Sequence, residues 1–291
     1  MLLILAAVAS LALAQETDTT VAVRQGQRLD FSNFGGSIVI KTWRQNAVRV
    51  RASHSSRTSI EVSSEGPTVS IRSLGRRGPA QVDYDILAPA WMPIAVQGSP
   101  SSDVTIEGTQ AEISVETVEG AVRVVGGSGN VILHSVEGDV TLASAKGHIE
   151  VNTVDGSIEL RDCSGDIRSE TVDGDITMLG IVSGDVDANT VDGGIEYDGT
   201  IQDGGQYRLS THSGDVTMSI PENANATITV STFSGSLDAG FPLTITGTTP
   251  PRHRFTFTLG TGTRGARVEL ESFDGSLRLR RPAAVHQDEH Q

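Results

Sequence analysis

Five acidic residues, Glu119, Glu137, Asp155, Asp173 and Asp192, each stand directly before a glycine, at steps of eighteen residues that stretch to nineteen before Asp192. Asp103, Asp139 and Asp175 stand one residue after the same kind of mark, so all eight are expected along one edge of the fold. Carboxylates that converge with turn carbonyls offer the all-oxygen ligand set calcium prefers, which makes the first five the candidate cation edge. Carboxylates also cap backbone amides at tight corners, and Asp-Gly and Glu-Gly are common turn chemistry. The calcium-binding nonapeptide G-G-x-G-x-D-x-U-x shares only its step length with this chain, because aliphatics occupy its third and fifth positions here.

Other chemistry is sparse. Cys163 is the only cysteine, which excludes an intramolecular disulfide, and it shares a small inward corner position with Gly127 and Ala145. An aliphatic setting makes it buried filler rather than a nucleophile. His134 and His148 are expected at outward positions on different faces, His212 takes a corner position, and His286 and His290 lie near the C-terminus. There is no G-x-S-x-G, no H-E-x-x-H and no phosphate-binding loop. The expectation is no catalytic residue and no cofactor. A polysaccharide lyase or hydrolase on a β-helix is the enzymatic alternative, and it needs convergent acid and base groups in a groove built by long insertions.

The elements that must carry these residues follow from a nine-residue beat. Ser102 and Ala111 begin it, and glycine continues it at 120, 129, 138, 147, 156, 165, 174, 184 and 193, with a single ten-residue step before Gly184. Two residues after every mark stands a β-branched aliphatic, from Val104 to Ile195, and another apolar residue usually follows two further on. Alternation of this kind makes short strands with one buried face, each entered through a glycine turn. Alternate marks are preceded by T-V-E-G, S-V-E-G or T-V-D-G, so the repeat is eighteen residues in two halves, the signature of a solenoid. The corner valines Val118, Val136, Val154, Val172 and Val191 are expected to point into an aliphatic column, broadened by Phe233 and Phe273 at the end. Thr117, Ser135, Thr153, Thr171 and Thr190 are expected to face outward. The ten-residue step predicts a bulge around Leu179-Gly180-Ile181-Val182.

Residues 17–100 carry the pattern more loosely, with Phe34 in the valine position, and no stretch has useful helical periodicity. Glycine is abundant at 32 residues and aromatics are 4%, which suits many corners around a thin core. The net charge of −14 argues against nucleic acid and anionic membranes as partners. Residues 1–14 are apolar and end in Ala-Leu-Ala, which reads as a signal peptide although no Lys or Arg precedes the apolar run. Export to the periplasm or the medium is therefore expected, with no membrane span in the mature chain. Residues 15–281 form one solenoid domain on this reading, and 282–291 form a disordered tail.

The order of S-N-F-G-G-S-I-V-I (32–40), V-D-Y-D-I-L-A-P (82–89), repeated T-V-D-G, S-G-D-V-T-M-S-I-P (213–221) and S-F-D-G-S-L-R-L (272–279) resembles the bacterial putative-adhesin β-strand-repeat family. The resemblance spans residues 19–281. It implies an all-β, right-handed, parallel β-helix-like solenoid of unknown function, exported or envelope-associated, with no catalytic residues to carry over. On that footing the chain is expected to be a non-enzymatic binding or scaffolding module for a protein or polysaccharide of the cell envelope. A calcium-stabilised structural repeat protein is a further alternative.

Overall fold

The computed structural model describes residues 15–76, 78, 80–242, 245–249, 253–261 and 264–282. The expected signal peptide at 1–14 and the expected tail beyond Pro282 lie outside them. Every regular element among the described residues is a β-strand.

The two kinds of half-repeat pair separately, each with its own kind. In one ladder Val104, Val122, Val140, Ile158, Ile176, Ile195 and Val216 are successive partners of parallel strands. In the other, Ile94, Ile113, Val131, Ile149, Ile167, Val186 and Tyr207 are. All of these side chains are buried between the two ladders. The strands Ile94–Thr109 and Ile176–Asp192 bend around a corner and serve both. The core is thus a parallel solenoid, and Val140, Ile158 and Ile176 share one column as the spacing predicts.

Chain order fails at both ends. The coil containing Ala266–Asp274 and Leu277–Arg280 lies between the strands of 206–219 and those of 226–239, although it comes last. At the other end Gly35–Trp43 lies between Val82–Pro89 and the strand Ile94–Thr109. Antiparallel strands then finish the stack. Gln15–Ala22 pairs with Ala47–His54, which pairs with Val82–Pro89, and Thr58–Glu65 pairs with Thr68–Gly75. Where the core widens, Phe31 meets Tyr84 edge-on at 4.7 Å and Tyr197 meets Tyr207 at 5.8 Å. Burial pushes the Tyr84 hydroxyl up to about 12.

Two expectations are corrected by the alternation of sides along each strand. Ile149 and Val151 point inward, so Thr153 does too, and Val154 falls on the opposite parity. Thr117, Ser135, Thr153, Thr171 and Thr190 are accordingly buried, while Val118, Val136, Val154, Val172 and Val191 are 42–48% exposed. Phe233 and Phe273 are exposed as well and do not close the core.

The bulge falls at two places, one of them the expected one. Towards the following coil the register slips between Leu179 and Ile181, as predicted. Towards the preceding coil Ser164 still faces Val182 and Asp166 faces Asp185, so the surplus residue sits at Ser183-Gly184. There Ser183 Oγ donates to the Asp185 carbonyl and accepts its N–H, at 2.8 and 3.0 Å. Gly180 is a regular member of a left-handed row with Gly126, Ser144 and Asp162, at φ of 67°, 102°, 59° and 52° respectively.

Substitutions should separate the two sides of the corner. Ile158→Ala is expected to cost about 2–4 kcal/mol through the cavity it leaves, and Val172→Ser less than about 1 kcal/mol. Urea midpoints for the two variants check this, and equal losses would return Val172 to the core.

Candidate functional site

Each residue of the T-V-D-G corner has a separate task. The buried threonine donates to the glycine carbonyl of the preceding rung: Thr171 to Gly156 and Thr190 to Gly174, both at 3.0 Å, and Thr211 to Gly193 at 2.9 Å. The glycine N–H donates forward, Gly156 to Asp173 and Gly174 to Asp192, both at 2.9 Å. At Gly174 φ is +149° and a Cβ would lie 2.2 Å from the Gly156 carbonyl oxygen, so only glycine fits. The valine carbonyls accept the N–H of the aspartate one rung on, Val136 from Asp155 at 2.8 Å and Val154 from Asp173 at 2.9 Å. The valine side chains themselves face water.

Because like stacks on like, these valines form a continuous ridge. Its rungs, in spatial order, are Phe34, Pro100, Val118, Val136, Val154, Val172, Val191, His212, Phe273 and Phe233. The order is fixed by flanking partners such as Gly35↔Ser101, Ser101↔Glu119, Thr190↔Thr211 and Thr211↔Ser272. At the C-terminal end His212 stacks on Phe273 and Phe273 on Phe233, each at 4.8 Å between ring centres. Ten rungs at the parallel-strand spacing make a ridge about 43 Å long. A shallow groove of about 320 Å³ runs beside its aromatic end, between Val191, His212, Phe233 and Phe273 and the polar Asn189, Ser210 and Glu271.

The structure brings all five candidate cation-edge residues together next to this ridge. Glu119, Glu137, Asp155, Asp173 and Asp192 are bridge partners on consecutive rungs, and all are exposed. They form a row with one carboxylate per rung. Among the described residues no group of three or more His, Cys, Asp or Glu side chains is placed to hold a metal ion.

A second acidic column beside it works differently. Asp103 accepts the N–H of Ala121, Asp139 that of Ser157, Asp175 that of Gly194 and Asp215 that of Ser276, at 2.7–2.9 Å. Asp83 does the same for Ser37 at 2.9 Å. Carboxylates alternate here with small residues, so each braces the next rung without facing a like charge. The signal was present in the sequence as D-V-T-I at 103, D-V-T-L at 139 and D-I-T-M at 175, thirty-six residues apart.

The remaining candidates stay apart. His134 and His148 lie on neighbouring strands of one sheet, not on different faces, and His134 approaches Asn152 at 3.2 Å and Glu150 at 3.5 Å. Cys163 is fully buried beside Ala145, where burial pushes its thiol up and disfavours the thiolate. An open groove of about 780 Å³ near the N-terminal cap holds Glu16, Asp83 and Asp85 with Lys41 and Arg51. Asp83 is already engaged there by both the N–H and the hydroxyl of Ser37.

One of these braces, Asp215, makes stability depend on pH. The Ser276 N–H, with help from Arg278, holds the Asp215 carboxyl below its ordinary value. A carboxyl lowered in the folded state contributes stability above its unfolded pKa and loses it as the pH falls through the folded one. Wild type should therefore melt above Asp215→Asn at pH 6, and the gap should close as the pH is taken below about 4. Thermal melts of the two proteins from pH 7 to 2 test this.

The model of the family described as Toastrack DUF4097 matches residues 7–178 and again 166–280. Comparison with curated proteins finds no match. Among solved structures, a putative adhesin from Parabacteroides distasonis ATCC 8503 is 9% identical, with a TM-score of 0.51 over 92% of this chain and 98% of that one. A putative adhesin from Bacteroides fragilis NCTC 9343 is 12% identical, with a TM-score of 0.40 over 91% of this chain and 97% of that one. At such identity the first likeness is one of fold, and the second carries no argument. Since the family model accounts for nearly the whole chain, repeat ladder and terminal coils alike, the protein belongs to the Toastrack DUF4097 family.

Proposed function

We propose that this protein is an exported, non-enzymatic solenoid that binds a component of the cell envelope along its apolar ridge. The observation that carries the reading is the file of half-exposed valines on five consecutive rungs, extended through Pro100 to Phe34 on one side and through His212 to Phe273 and Phe233 on the other, all aligned by the backbone. Soluble proteins rarely leave contiguous apolar surface of this extent in water unless something covers it. Export rests on the apolar Ala-Leu-Ala segment at residues 1–14. The name putative adhesin, given to the structures of like fold, is compatible with a binding role. In this reading the ladder is a right-handed coil of eighteen residues in two halves, in keeping with the handedness of parallel crossovers.

A carbohydrate-active enzyme would place its acid and base in a groove. The two acidic columns of this solenoid instead lie along a corner or brace its backbone, and in the open groove near the N-terminal cap Asp83 is already engaged by Ser37, which favours binding over catalysis.

The test is a single chain carrying Val136→Ser, Val154→Ser and Val172→Ser. It should keep the melting temperature within a few degrees of wild type and lose at least tenfold in binding to envelope preparations of the host. Unchanged binding by a folded triple variant would remove the ridge from the function. Tagged protein with and without residues 1–14, followed by fractionation, tests export: the full chain should leave the cytoplasm and the shortened one should stay.

A further inference from the structure

Resting on the reading of the ridge as a binding surface, we infer that its occupant is a cationic, amphipathic polypeptide segment. The argument is from charge. From two residues before each ridge position to three after it, the chain carries thirteen carboxylates and no lysine or arginine. Arg278 and Arg168 reach in from outside that span to pair with Asp215 and Glu170, each at 2.6 Å. The exposed row Glu119, Glu137, Asp155, Asp173 and Asp192 runs parallel to the valines, one residue away on every rung. The ridge therefore presents two parallel lines, one apolar and one negative, about 19 Å long where both are unbroken.

That pairing selects among occupants. Nucleic acids and anionic lipid surfaces are repelled by the acidic line. Neutral glycans have no charge for it and little aliphatic surface for the valines. A second copy of this chain, with a net charge of −14, would bring a like field against it. A polypeptide that alternates lysine or arginine with aliphatic residues meets both lines at once: its apolar side chains cover the valines and its cations neutralise the row. Neutralisation also relieves the repulsion between stacked carboxylates, so the row itself contributes to affinity.

Three synthetic fourteen-residue peptides, labelled for fluorescence anisotropy, test this against the full mature chain: lysine alternating with leucine, lysine with serine, and glutamate with leucine. The lysine–leucine peptide is expected to bind at least tenfold more tightly than either other peptide. Its affinity should fall at least tenfold in the triple serine variant above, and again in Glu137→Gln, Asp155→Asn, Asp173→Asn, and it should weaken as salt is raised. Circular dichroism melts establish that both variants are folded. Lysine–leucine binding that ignores the valines would be general attraction to an acidic protein and would overturn the inference. Ridge-dependent binding of the glutamate–leucine peptide would overturn the cationic occupant while leaving the ridge a binding surface. Ridge-dependent self-association in sedimentation would likewise overturn it, in favour of a second copy. If no peptide binds in a ridge-dependent way, this inference falls, and the envelope-binding test alone decides the broader reading.

Discussion

Everything in this molecule depends on stacking at the parallel-strand spacing of about 4.8 Å. A residue that recurs in register becomes a column, and its physical character is multiplied by the number of rungs. For Val140, Ile158 and Ile176 the multiplication is favourable, because each buried aliphatic rests on another. For the corner glycines it is a steric necessity, since the carbonyl of the rung below occupies the place of a Cβ. For carboxylates it is unfavourable, at about 0.9 kcal/mol per stacked pair even at the dielectric of water, before salt screening.

The two acidic columns answer that last constraint in opposite ways. The braced column alternates Asp103, Asp139, Asp175 and Asp215 with Ala121, Ser157, Gly194 and Ser276, so each charge gains a backbone donor and avoids a like-charged neighbour. The row beside the ridge does not alternate. Glu119 through Asp192 repeat on five consecutive rungs, although aspartate and glutamate are interchanged along the way and asparagine would also suit a turn. Charge is retained on rungs where the turn alone does not require it.

The ladder was legible in the sequence because its period is local and strict: the nine-residue beat sets register, and register sets the columns. The corner is not legible from apolar character alone, because there it does not mean burial. Carrying the parity of Ile149 and Val151 forward to Thr153 would have placed the threonine inside and Val154 outside. The terminal coils were legible as strands and not as neighbours. The marks at 233–237 and 273–277 look equivalent in sequence, and nothing local in them specifies that the later coil inserts beneath the earlier one.

Strict periodicity also shapes what the ridge can do. From Val118 to Val191 the five rungs are alike, so an occupant shorter than the ridge has several registers of nearly equal energy. An occupant that contacts one rung would have five registers, which favour binding by about 1 kcal/mol through RT ln 5, and one that spans more rungs has fewer, yet in either case its position is undefined. Position can be fixed only where the repeat breaks. It breaks at Phe34 and Pro100 on one side and at the stacked rings of His212, Phe273 and Phe233 on the other. The same insertions that close the solenoid therefore mark the ends of its ridge. For an occupant of the proposed kind, the uniform middle would supply affinity, and the aromatic and proline rungs at its limits would supply the features by which its register could be read.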